Sequence, residues 1–491
     1  MMREGCCRKL PTISDVEREG ANMKLFMGMK YIWMLFLLCA CLAPAVTSAG
    51  NEEVHKEEVG STGEREECKV CGMYIDQYLR SAGELVHKDG TKEHTCGVVC
   101  LLRILDDEGV ENFKSITVRD WKTGNLVDAR KATYSLGSRV IPDMNPNFIA
   151  FETKEAAEAF KAEKGGEVID FNKAMQLITP RGQTVPFRLQ TAVTTGKGSF
   201  GMGMGFSYLR RDRIKLGSDS QDPGEFISGR AKQPRAPRDV ESYGQLLFVN
   251  YGITDRLAVL ANLPYFERQT SQYDRNLTTG AITTTGADAA GLGDLDLRFR
   301  YNLWRSTIQD KWVTMIATTT LPTGKFNKVA IDSPALQPGT GAPSFGGGLL
   351  FSYSWRDLWL HSSATYIARL ENGDNYKFGN ESGAGVALHY TPNYTYMFGV
   401  EVDVAYFEKN ENQGAKVGNT GGTRANLNFV ADWRFLNALG GNFTLRASIG
   451  LPIYEDLNYQ MIASREQVQL GGGYFGNLAL NYVTRFPFIE E

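Results

Sequence analysis

The chain has 491 residues, enough for more than one domain, and a net charge of −3 that points away from a nucleic-acid partner. Its mean hydropathy of −0.28 excludes a bundle of membrane-spanning helices but not a β-barrel, whose strands are apolar on one face only. The 52 glycines and 11% aromatic residues suit short strands, tight turns and interfacial girdles.

The first element is an apolar run over 31–46 that follows Lys30 and ends in Thr47-Ser48-Ala49. It reads as a secretory signal peptide cleaved after Ala49, with Met23 or Met29 as the true start. A lipoprotein alternative through Leu38-Cys39-Ala40-Cys41 ranks below it. Residues 1–49 are therefore an extension plus signal peptide, and 50–67, charged and without apolar period, a flexible leader. Of eight cysteines, processing removes Cys6, Cys7, Cys39 and Cys41. Cys68, Cys71, Cys96 and Cys100 remain within one short stretch, which suggests one local site rather than a scattered disulfide framework.

Residues 68–180 carry a compact α/β pattern. Strands are expected over 81–86 and 115–118, and a helix over 98–105 closed by Asp107 and Gly109. A second helix is expected from Lys154 to Lys164, with Thr153 as N-cap, Ala156, Ala157 and Phe160 on one face, and Gly165-Gly166 as the stop. Residues 181–198, rich in Thr, Gly and Pro, read as a linker.

From 199 to 491 the period changes to two. Leu295, Leu297, Phe299, Tyr301 and Leu303 alternate with Asp294, Asp296, Arg298, Arg300 and Asn302. Phe398, Val400, Val402, Val404 and Tyr406 oppose Glu401 and Asp403, and similar alternation recurs over 424–434 and 443–451. Three features favour a membrane barrel over a soluble sandwich. Strands run about ten residues or more; aromatics such as Trp304, Trp312, Trp355, Tyr394, Tyr406, Trp433 and Tyr482 mark strand ends; and short connections alternate with long polar loops, one of them near 270–292. We count twelve strands, beginning near 199, 241, 256, 293, 312, 343, 358, 382, 394, 423, 442 and 472. An even count puts both termini on one side. The first connection is long and external, so the N-terminal domain is expected in the periplasm.

The strongest chemical signal is Cys68-Lys69-Val70-Cys71-Gly72-Met73. Two thiolates and a thioether at this spacing offer soft ligands that select Cu(I) over harder ions. His87 and His94 add imidazole nitrogen, and Cys96 with Cys100 adds donors at helical spacing. The spacing fits two structural disulfides, a zinc site or a redox pair as well. No catalytic constellation is evident, so an enzyme is not expected.

Residues 68–172 resemble the NosL family, copper-binding accessory proteins of nitrous oxide reductase assembly. The resemblance rests on the Cys68-to-Met73 motif, the Asp89-Gly90 turn, Tyr134-Ser135-Leu136-Gly137-Ser138, Pro142-Asp143-Met144, Ile149-Ala150-Phe151, the helix with Ala156, Ala157 and Phe160, Gly165-Gly166, and Val168 with Phe171. It implies an α+β domain similar to organomercurial lyase that binds Cu(I) in the periplasm, with Cys71 and Met73 as ligands and Met144 as a candidate. Asp143 is inserted in the family's proline–methionine motif, and Cys96 and Cys100 are additional. Residues 199–488 resemble outer-membrane transporters of a phenol-degradation pathway, through Tyr251-Gly252-Ile253-Thr254-Asp255-Arg256, Gly291-Leu292-Gly293-Asp294 and Leu321-Pro322-Thr323-Gly324.

Charges of both signs on the lumenal face are expected to neutralise one another and plug a modest barrel rather than line an ion-selective pore. Met202 and Met204 are expected to face lipid, and His361 and His389 to be isolated and structural. The sequence thus describes an envelope protein that captures, transports or delivers Cu(I). Its expected partners are the copper ion, outer-membrane lipid, and a periplasmic cuproprotein or metal carrier. The alternatives are a porin-like importer of small apolar molecules and a thiol oxidoreductase using Cys68 and Cys71.

Overall fold

The computed structural model describes residues 65–178, 184–326 and 336–485. The expected signal peptide and nearly all of the leader lie outside the described residues.

Two small antiparallel sheets and three helices build the N-terminal region. The first sheet has the order β2-β1-β3-β4, from β1 (Gly83–His87), β2 (Lys92–Thr95), β3 (Phe113–Arg119) and β4 (Leu126–Asp128). The second pairs β5 (Thr133–Leu136) with β6 (Phe148–Phe151) and β7 (Glu167–Ile169). Helix α1 (Val98–Glu108) is apolar nearly all round, and Val98 to Leu105 are all buried between the sheets. Gly109, at φ +86°, ends it. Helix α2 (Lys154–Lys164) has the expected bounds. The Thr153 hydroxyl accepts from the Ala156 N–H at 3.2 Å, and Gly165 at φ +76° stops the helix. Helix α3 (Phe171–Leu177) closes the core with Phe171 and Ala174.

Twelve long strands then form a closed meander: β8 (Ser199–Arg211), β9 (Arg235–Gly252), β10 (Leu257–Arg275), β11 (Leu295–Arg305), β12 (Lys311–Leu321), β13 (Ser344–Trp355), β14 (Leu358–Arg369), β15 (Glu381–Tyr390), β16 (Tyr396–Phe407), β17 (Gly422–Ala438), β18 (Gly441–Leu457) and β19 (Tyr474–Arg485). Each pairs antiparallel with the next, and β19 pairs with β8 to close the ring. The closed ring leaves no open strand edge among the described residues of the meander, as a membrane interior requires. Phe398, Val400, Val402, Val404 and Tyr406 are exposed on the outer face, whereas Glu401 between them is fully buried.

Several sequence expectations change. The polar stretch 270–292 is not a loop: β10 runs on to Arg275 and pairs with a further strand, Ile282–Leu292. Above the membrane both faces meet water, so apolar alternation ends while the backbone ladder continues. Trp312 and Tyr394 do not belong to a girdle. Trp312 stacks on Trp359 inside the barrel at 5.4 Å, and Tyr394 lies between the guanidinium groups of Arg103 and Arg434.

The stretch read as a linker is held inside the lumen from residue 184 onward. The N–H groups of Phe187 and Arg188 donate to the two Glu401 carboxylate oxygens at 2.8 Å, and the Ala192 N–H donates to Ser352 Oγ at 3.0 Å. His361 and His389 are not isolated: their rings are 5.2 Å apart, and His361 bridges Ser352 and Thr184, each at 2.8 Å. Several lumenal charges pair, with Asp296–Arg298 at 2.6 Å, Arg188–Asp403 at 2.9 Å, Asp432–Arg446 at 3.0 Å and Arg424–Glu455 at 3.3 Å. Register pairs Met202 with Val249 and Tyr482 and Met204 with Leu247 and Leu480, but both methionines are buried rather than exposed as expected of a lipid-facing pair, and Met202 borders the lumenal cavity.

The strap and its contacts fill one side of the lumen. Along β8, β9, β10 and β19 a cavity of about 710 Å³ remains.

Candidate metal centre at the mouth of the barrel

The Cys68–Met73 segment folds back on itself. The Cys68 N–H donates to Met73 O at 2.8 Å, and the Gly72 N–H to Cys68 O at 2.7 Å. Gly72 sits at φ +76°, and a Cβ there would lie 2.0 Å from the Gly441 carbonyl oxygen of the β17–β18 turn, so the position admits glycine alone. This turn brings Cys68 and Cys71 under Cys96, which leaves β2, and Cys100, in the first turn of α1.

The four sulfurs lie within 4.8 Å of one another. Cys71 and Cys96 approach to 3.3 Å and Cys96 and Cys100 to 3.8 Å, and all four are free and buried. Met73 is buried in the same cluster, and Met144 packs against it. Hydrogen bonds from neighbouring thiols, Cys100 foremost, hold the Cys68 thiol below its ordinary value. Burial pushes the Cys71 thiol up, and sharing protons with neighbouring sulfurs raises Cys96 and Cys100. One thiolate is thus favoured and further ones are opposed, the balance a bound cation would reverse. The donor set fits a soft metal ion.

The structure does not bring His87 and His94 to this cluster. His94 faces away from it on β2, with Nδ1 2.8 Å from Glu66 and Nε2 3.2 Å from Glu84. His87 packs on Phe113 at 4.5 Å and lies 3.4 Å from Glu93. Sequence reasoning missed the groups that frame the sulfurs. Arg103 Nη1 donates to Met144 Sδ at 3.4 Å. Asp143 is fully buried over Gly97 with both carboxylate oxygens unpartnered, and burial pushes its carboxyl up to about 7. Its insertion before Met144 was the only signal.

This region docks on the end of the barrel that carries the short turns. Tyr78 donates to Arg485 O at 3.0 Å, Asn437 to Lys69 O at 2.7 Å, and Gln309 to Asn147 Oδ1 at 2.5 Å. Arg485 in turn donates to the carbonyls of Ile141, at 3.1 Å, and Asp143. Cys71, Met73 and Met144 border the lumenal cavity.

Residues 59–177 match the NosL family model, and residues 247–458 match the family described as "Putative MetA-pathway of phenol degradation". The chain is a NosL domain joined to an outer-membrane barrel. The copper-binding lipoprotein NosL of Stutzerimonas stutzeri is 27% identical over 152 residues, 29% of this chain and 80% of that protein. Among solved structures, the copper chaperone NosL of Shewanella denitrificans shares 28% identity, covering 24% of this chain and 94% of its own, with a TM-score of 0.22. An outer-membrane channel of Pseudomonas putida F1 shares 13% identity over 62% of this chain and all of its own, with a TM-score of 0.44. The NosL domain sits at the short-turn end, which is periplasmic in such barrels.

Proposed function

We propose that this protein captures Cu(I) at the outer membrane and hands it on, holding it on Cys68, Cys71, Cys96 and Cys100 with Met73 and Met144 at the rim. The ion is cargo, and it reaches the sulfurs from the lumenal side. In this reading residues 68–180 are the metal-binding domain and 199–491 the barrel. A periplasmic cuproprotein or metal carrier is the acceptor.

One observation carries the proposal: four buried thiols converge within 4.8 Å, and the cavity in the barrel reaches Cys71, Met73 and Met144. Four thiolates alone suit zinc equally well. The two thioethers beside them favour Cu(I), the softer ion.

The test is competition between the reduced full-length protein in detergent and a chromophoric Cu(I) chelator, with zinc titrated in parallel. Cys71→Ser and Cys96→Ser should each weaken Cu(I) binding by more than the roughly 10–100-fold expected for losing an outer partner. Met73→Leu should weaken it less. Unchanged affinity in both cysteine variants, or zinc displacing Cu(I) at equal concentration, would overturn the assignment.

A further inference from the structure

Arg300, on β11, faces the lumenal cavity and is 6% exposed. Its lumenal neighbours Arg188, Arg298, Arg424 and Arg446 each have a carboxylate within 3.3 Å. Arg300 has no such ion pair among the described residues. Its Nη2 donates to Asn250 Oδ1 at 3.1 Å and its Nη1 to the Thr191 carbonyl at 3.5 Å, both neutral acceptors, while its Nε has no partner. A guanidinium is charged at every accessible pH, and burying one without a counter-charge leaves its desolvation uncompensated. Nε is itself buried, and the guanidinium, which lines the cavity, keeps more N–H donors than its two neutral acceptors use.

The cavity beside it has the room and the lining for the rest of a molecule that meets those donors. It measures about 710 Å³, and Leu260, Phe248, Phe266 and Val193 give it apolar walls. Across from β11 the wall of β8 is bare backbone at Gly201 and Gly205, where an added Cβ would find its nearest neighbours at 3.7 Å. A flat ring can lie against that surface.

We propose that this cavity binds a small, flat, apolar anion of the aromatic carboxylate class, with its charge on Arg300 and its ring between the apolar wall and the glycine strip. The site is separate from the sulfur cluster and does not depend on copper.

The test is calorimetric titration of the metal-free, full-length protein in detergent with benzoate. Benzyl alcohol serves as the neutral comparison and chloride as the inorganic one. Benzoate should bind saturably, and Arg300→Gln should weaken it by about tenfold or more, as for a lost charge-assisted hydrogen bond. Benzyl alcohol should bind more weakly than benzoate and equally to both proteins. Cys96→Ser should bind benzoate as the parent does, so failure of the copper reading and failure of this one are distinguishable. Heat-modifiable gel mobility establishes that Arg300→Gln forms a barrel; if it does not, the comparison of benzoate with benzyl alcohol in the parent protein decides. The proposal is overturned if the parent binds benzoate no better than benzyl alcohol, or if chloride at equal concentration displaces benzoate.

Discussion

The NosL domain and the barrel bury opposite chemistry. In the domain, Leu85, Leu101, Ile116 and Phe148 form an apolar core, and the polarisable groups at its margin are sulfur. In the barrel many apolar side chains point outward, and the interior combines ion pairs and a polar strap with apolar patches at Trp312–Trp359 and along the cavity. Among the groups that each interior leaves unsatisfied, two stand out: four thiols crowd within 4.8 Å in the domain, and in the barrel Arg300 is buried against neutral acceptors. The departures from a self-sufficient interior mark where each region awaits something from outside.

The largest expected effect tests the inversion itself. Phe299 is 40% exposed on the outer face of β11, one residue from the lumenal Arg298. Phe299→Arg should cost on the order of 2–4 kcal/mol of folding into lipid, read as lost heat-modifiable mobility, because it places a charge against hydrocarbon. Asp296→Asn should be milder, since Arg298 keeps a polar surround. Equal tolerance of both variants would mean that the outer face is not lipid-facing.

A second, smaller effect sharpens the link between the regions. Gly205→Phe projects a ring into the cavity from a position with room for a Cβ. Stopped-flow loading of Cu(I) should slow by about tenfold while equilibrium affinity stays within a factor of about two, because access changes and the ligands do not. Unchanged loading would show that the ion reaches the sulfurs by another side.

Much of this was legible in the sequence, for physical reasons. Lipid outside and a polar lumen inside force period two, so all twelve barrel strands could be counted, with most starts within two or three residues. Thr153 and Gly165 announced α2 because capping chemistry is local. The extension of β9 and β10 was hidden because paired strands in water need no apolar face. The lumenal strap was hidden because its polar composition suits an ionic interior as well as a solvated linker. His87 and His94 looked like ligands because they are near Cys96 in sequence, yet strand alternation turns His94 toward Glu84 and away from the thiols.

The smallest effect follows from that correction. His94→Ala should leave Cu(I) affinity within a factor of about two in the chelator competition, since an outer contact that does not orient a ligand contributes nothing to binding. A loss of tenfold or more would return His94 to the site.

The most direct test of the copper site is X-ray absorption at the copper edge of the full-length protein loaded with one equivalent of Cu(I). The copper should show a nearest shell of sulfur alone, supplied by the cysteines around Cys71 with Met73 and Met144 at the rim. A shell containing nitrogen or oxygen, retained in Cys71→Ser and Cys96→Ser, would contradict it.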